Sequence, residues 1–116
     1  MLSIEMYAGK RAAGMSAAAI DLGSWRRNLR IVKHKKMCTL RQLCLCTELR
    51  NMDICALCNE YECSECPIKK VEKKRCRHRN STYSYIKKAK THEDLVARIE
   101  DLIILLEACS RREQRE

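Results

Sequence analysis

"CALCNEYECSEC", residues Cys55 to Cys66, places four cysteines in twelve positions with the spacing Cys-x2-Cys-x4-Cys-x2-Cys. What these thiols are for decides the class of domain. The chain has nine cysteines, an odd number, and its first residues, "MLSIEMYAGKR", lack the basic stretch and apolar run of a secretory leader. Both features predict a reducing, cytoplasmic setting and argue against a disulfide framework. A Cys-x2-Cys turn points both sulfurs to one side. Two such pairs four residues apart, followed after nine residues by Cys76, give five candidate ligands for a zinc tetrahedron that needs four at about 2.3 Å. The reading is structural zinc held by Cys55, Cys58, Cys66 and Cys76, with Cys63 competing for the third place and His78 a more distant candidate. An iron–sulfur cluster is the alternative metal, because Cys66-Pro67 also resembles the end of a ferredoxin-type run.

Catalysis fits this pattern poorly. A catalytic zinc keeps one position open and usually has His or a carboxylate among its ligands, whereas the nearby ligands here are all Cys. The deaminase pattern, His-x-Glu before Pro-Cys-x2-Cys, is absent. A thioredoxin-like couple wants a βαβ context, and none is visible. Glu60, Glu62 and Glu65 read as a solvated acidic rim. Cys38, Cys44 and Cys46, with His34, admit a second metal site, but their spacing is no recognised knuckle and buried free thiols are the simpler reading. Cys109 reads as core.

At 116 residues the chain has room for one small domain. Its core is poor in large rings: no Phe, one Trp (Trp25) and four Tyr. A structural zinc site contributes about 10–16 kcal/mol in small peptides, the order of a whole domain's stability, so metal is expected to hold the fold. No run approaches the roughly 18 apolar residues of a membrane span.

Along the chain, residues 1–15 show no periodicity and are expected to form a mobile arm. From Ser16, the positions Ala18, Leu22, Trp25, Leu29 and Val32 draw one apolar helical stripe, with Arg26, Arg27, Arg30 and Lys33 off it; Gly23 interrupts it. Thr39 starts a second short helix through a capping-box pattern, with Leu40, Leu43 and Leu49 facing inward. Residues 53–68 are expected to be loops and tight turns. Ser81 or Thr82 caps a short helix running to Ala89. Thr91 caps the clearest helix, whose apolar residues Leu95, Ile99, Leu102, Leu106 and Cys109 are flanked by Val96 and Ile103. Its wide apolar face, extended by Ile104 and Leu105, predicts a homodimer through Leu95, Ile99, Leu102, Ile103 and Leu106. "AGMSAAAIDLGSWRRNLRIVK" also looks like part of a helix-turn-helix, with its turn at Leu22-Gly23, though its spacing falls short.

The formal charge of +9 is unevenly placed. Residues 69–90 carry ten Lys/Arg against one acid, and 1–37 carry eight against two. "KKVEKKRCRHR" alone holds Lys69, Lys70, Lys73, Lys74, Arg75, Arg77 and Arg79 around Cys76. A basic run tied to a rigid scaffold tracks phosphates in a salt-dependent way. Lys69 to Arg79 and the α-helical face of Arg26, Arg27 and Arg30 are therefore the candidate nucleic-acid contacts; the plainer reading of either is a solvated face.

The order of "CALCNEYECSECPI", Cys76 and "NSTYSYIKKAKTHEDLVARIEDLIILLE" resembles small cysteine-rich, zinc-knuckle-like proteins encoded by bacteriophages and prophages, over residues 53–107. Cys55, Cys58, Cys63, Cys66 and Cys76 match that family's cysteines and Tyr83 its turn tyrosine. Thr82 stands where the family more often has Pro, which implies a looser turn. The resemblance implies a zinc-binding viral accessory protein in the cytoplasm of a bacterial host, with no activity named.

The expected fold is a small α-rich, metal-stabilised domain: a zinc knuckle or ribbon-like loop region, a C-terminal amphipathic helix after it, and one or two helices before. The expected organisation is an arm (1–15), a helical N-terminal segment (16–52) and a zinc-binding domain (53–116). The expected function is non-enzymatic nucleic-acid binding. The alternative is a phage-encoded inhibitor of a host defence complex, of anti-CRISPR or similar type, that acts on a host nucleoprotein by protein–protein binding. Neither reading involves a membrane or a small-molecule substrate.

Overall fold

The computed structural model describes residues 4–46 and 55–115, without the side chains of Ile4 and Cys46. Leu49, expected to face inward, lies outside the described residues, as does the Cys46 thiol. Among the described residues 74% are helical and there is no strand. The elements are α1 (Ile4–Ala12), α2 (Ala17–Lys35), α3 (Leu40–Cys46), α4 (Ala56–Glu60), α5 (Pro67–Glu72), α6 (Thr82–Lys88) and α7 (His92–Arg115).

The longest helix organises the rest. Thr91 accepts a hydrogen bond from the Asp94 N–H (3.0 Å), and Glu93 and Asp94 in the first turn suit the positive end of the helix dipole. At 1.5 Å per residue α7 is about 36 Å long, close to the molecule's greatest extent of 38 Å. It packs chiefly along α2 and also against α5 and α6. Leu95, Ile99, Leu102, Leu106 and Cys109 are buried there. Of the interface residues expected from the sequence, Leu95, Ile99, Leu102 and Leu106 are buried within the one chain, and Ile103 packs against that core. Only Ile104 of the stripe remains largely exposed, at 63%. The face is wide because three helices cover it.

Helix α2 starts where expected, with Ser16 accepting from the Ala19 N–H (3.2 Å). It runs unbroken through Gly23, which leaves no turn for a helix-turn-helix and removes that reading. It ends at Lys36, in the left-handed region (φ 53°) with its N–H on the Val32 carbonyl. Thr39 and Gln42 then cap α3 reciprocally: Gln42 N–H to Thr39 Oγ1 (3.2 Å), and Thr39 N–H to Gln42 Oε1 (3.2 Å).

Two further expectations are corrected. Residues 4–12 are a helix, not an arm. Tyr7 donates to Glu60 (3.0 Å) and Arg11 pairs with Glu60 (2.9 Å), so α1 is fixed by a partner about fifty residues away that no local pattern displays. It closes in a Schellman-type turn at Gly14 (φ 89°), where the Met15 N–H reaches the Lys10 carbonyl (3.1 Å). The cysteine region is likewise not only loops. Cys55 and Cys66 stand at the N-caps of the short helices α4 and α5, and Pro67 opens α5 at a position where no N–H is required.

Candidate functional site

The thiol-bearing segment is anchored by acids from elsewhere in the fold. Asp21, on α2 and 5% exposed, accepts hydrogen bonds from the backbone N–H groups of Ala56 (2.8 Å) and Leu57 (3.0 Å) and from the Cys55 thiol (3.4 Å). It thus caps α4 from across the core. Glu72, at the end of α5, accepts from the Thr82 N–H (2.7 Å) and hydroxyl (2.6 Å). The Thr82 position therefore makes a bond that a proline could not, and the turn is tied rather than loose. Ser81 caps α6, accepting from the Ser84 N–H (3.1 Å), and donates to the Cys76 carbonyl (2.6 Å). Glu113, near the end of α7, accepts from the Ala18 N–H (2.7 Å) and the Tyr61 hydroxyl (2.7 Å). Glu60 is thus a structural anchor for α1, while Glu62 and Glu65 are exposed, Glu65 lying 3.8 Å from Lys70.

The fold brings the predicted cysteines into one neighbourhood. Cys55, Cys58, Cys66 and Cys76 line a single cavity of about 400 Å³ between α2, α3, α6 and α7, and Cys44 of α3 lines it too. Cys66 is buried and Cys76 half-buried; Cys55, Cys58 and Cys63 keep surface in solvent. Cys63 is outside the lining but close enough to raise the pKa values of Cys66 and Cys76.

Burial pushes the Cys55 thiol far above its ordinary value, and the Asp21 carboxylate beside it pushes the same way. Burial also raises Cys66, with the backbone N–H groups of Ile68 and Lys69 opposing, and Cys58 and Cys63 raise it further. Cys76 is raised by burial and then by Cys58, Cys66 and Cys63, with Arg77 opposing. Neighbouring thiols thus oppose the ionisation of Cys55, Cys66 and Cys76. A cation bound by such thiols together would remove that opposition.

Among the described residues, however, no group of three or more His, Cys, Asp or Glu side chains is arranged so that it could hold a metal ion. That applies equally to the second grouping around His34, Cys38 and Cys44. His78 is exposed, and its Nδ1 accepts from the Asn80 N–H (3.0 Å).

The basic residues are placed unequally. Arg26, Arg27 and Arg30 are exposed on the outer face of α2, with Arg26 3.6 Å from Glu107. Lys73, Arg75, Arg77 and Arg79 are exposed, but Lys69, Lys70 and Lys74 are half-buried. Among the described residues, no acid pairs with Arg27, Arg30, Lys73, Lys74, Arg75 or Arg79.

Asp21 and Asn28 were not foreseen. Both sit on the buried face of α2, seven residues apart, as polar breaks in the stripe that holds Ala18, Leu22, Trp25 and Val32. The signal was present as polar residues at core-facing positions. No protein-family model matches the chain, and no curated protein or solved structure matches it either. No helix of the described residues is long and apolar enough to cross a membrane.

Proposed function

We propose that this chain is a structural-zinc protein that binds nucleic acid through its basic segments, acting by binding and not by catalysis. The observation that carries the reading is the sharing of one cavity by Cys55, Cys58, Cys66 and Cys76, the last of which sits inside the exposed run Arg75, Arg77 and Arg79. Cys55, Cys58, Cys66 and Cys76 would hold the metal, with Cys63 the neighbouring competitor. Bound there, zinc would supply the positive charge that lets crowded thiols ionise, and its ligands would tie α4 and α5 to the segment around Cys76. The segment Lys69 to Arg79 and the α2 face of Arg26, Arg27 and Arg30 then present cations at fixed positions to phosphates. Phosphate contacts position without reading sequence, so binding should be strong at low salt and weakly selective. The viral setting, a phage accessory protein in a bacterial cytoplasm, rests on the resemblance of residues 53–107.

The test is a mobility-shift series in rising salt with the parent and with Lys73, Lys74 and Arg75 all changed to Glu. The parent should bind, with affinity falling steeply as salt rises, and the triple variant should lose binding while keeping its helical circular dichroism. A triple variant that binds as the parent does refutes the role of this segment. A parent that binds neither DNA nor RNA at low salt leaves the inhibitor of a host nucleoprotein as the better reading.

A further inference from the structure

The cavity is larger than the thiols require. A metal ion bound to sulfur reaches only about 2.3 Å, while the space is about 400 Å³. Asp21, against Cys55, and Asn28 both line it, and seven residues of α2 separate them by about 10.5 Å. The Asn28 end is therefore free for a second occupant.

Its chemistry is specific. Asn28 is 6% exposed, yet its Oδ1 has no hydrogen-bond partner; buried polar atoms normally have one. Trp25 and Tyr83 also line the cavity, forming an edge-to-face pair with ring centroids 6.1 Å apart at 81°. Arg77 and Lys87 complete the lining with positive charge; both are exposed, and the Lys87 ammonium lies 5.0 Å from the Tyr83 ring centroid. The complementary ligand is flat, carries N–H groups on its edge and bears an anion at one side. An aromatic amino-acid side chain has the plane but no anion. A nucleotide has all three.

We infer that this end of the cavity takes one base of a single-stranded nucleic acid, with the base against Trp25, its edge toward Asn28 and its phosphate on Arg77 and Lys87. A base stacked within a duplex cannot enter without being extruded, so the preference is for single strands. The inference rests on the nucleic-acid reading above and deepens it by naming the form of the ligand.

Trp25 is the only tryptophan, so its emission reports the pocket directly. The full-length metal-loaded protein is titrated with a single strand of about twelve nucleotides, within the site size of a small single-strand-binding module. The same strand annealed as a duplex, and an abasic strand of equal length, are titrated alongside, with binding followed independently by anisotropy. The intact single strand should quench Trp25 and bind at least about fivefold tighter than the abasic strand, the smaller end of one base-stacking contact. Duplex and abasic strands should bind without moving Trp25. Asn28→Ala should weaken the intact strand and leave the abasic strand unchanged, and equal loss for both strands overturns the role of Asn28. Should that variant lose its helical circular dichroism, Lys87→Glu, at an exposed position, should weaken the single strand more than the duplex. Equal affinity for intact and abasic strands, with Trp25 emission unmoved, overturns the pocket while leaving the phosphate-tracking reading intact. No binding of any strand overturns both.

Discussion

Asp21 shows how one side chain organises the cysteine region. Its carboxylate is the acceptor for two backbone N–H groups that α4 leaves without internal partners, and those groups are buried with it. Asp21→Ala should cost about 2–6 kcal/mol, because two orphaned buried donors cost about 1–3 kcal/mol each. Asp21→Asn keeps one oxygen and should lose about half as much. Urea midpoints decide this, and a loss below about 0.5 kcal/mol for Asp21→Ala would remove the capping role. A second residue-scale expectation concerns Cys109. Burial first, then the negative groups around it, push its pKa from 9.0 up to about 12. The unfolded chain loses this proton above pH 9.0 and the folded chain keeps it to about 12, so the folded state binds more protons in that window. Stability should therefore fall as pH rises through it, by at most about 1.4 kcal/mol per pH unit. The difference in stability between the parent and Cys109→Val should reproduce that slope; a difference independent of pH would contradict it.

At the scale of elements, α7 carries the fold because its apolar stripe meets α2, α5 and α6 together. Leu106 is 2% exposed and Ile104 is 63% exposed, although they are two residues apart. Leu106→Ala should cost about 2–5 kcal/mol, whereas Ile104→Glu should stay within about 0.5 kcal/mol of the parent. Thermal unfolding of the two variants measures the contrast directly. Equal effects would mean that the face seen as solvent-exposed is covered by something else. Helix α1 is the opposite case, since it is held at its far side by Tyr7 and Arg11 on Glu60. An exposed pair of this kind contributes only about 0–1 kcal/mol, so the Glu60 contacts hold α1 weakly, beside the packing of Tyr7 against the core.

At the scale of the whole molecule, the core has one Trp, no Phe and a set of buried Leu, Ile, Val and Ala that is modest for 116 residues. On the zinc reading, α4, α5 and the segment around Cys76 depend on metal for their mutual position. The purified protein should carry about one zinc per chain, and chelation should broaden or abolish its cooperative unfolding transition. Elemental analysis with calorimetry tests both halves: iron with visible absorbance, or a sharp transition without metal, would defeat this expectation.

Local chemistry was enough to determine the helices that carry their own signals. Ser16, Thr39, Ser81 and Thr91 each cap the helix expected of them, and the stripes on α2 and α7 are buried largely as their spacing requires. Four of the five candidate cysteines, Cys55, Cys58, Cys66 and Cys76, line one cavity, which their short spacing favours, while Cys63 lies outside it. Other features were decided only by tertiary structure. How much of the α7 face its own chain buries depended on α2, α5 and α6 reaching it together, which no single segment encodes. The helices α1 and α4 are too short to be stable alone, and they form because Glu60 and Asp21 supply partners from 34 to 53 residues away. The cavity at Asn28 has the same origin. A polar residue on an apolar stripe acquires meaning only when other helices enclose it, because burial is a property of the packed molecule and not of the local chain.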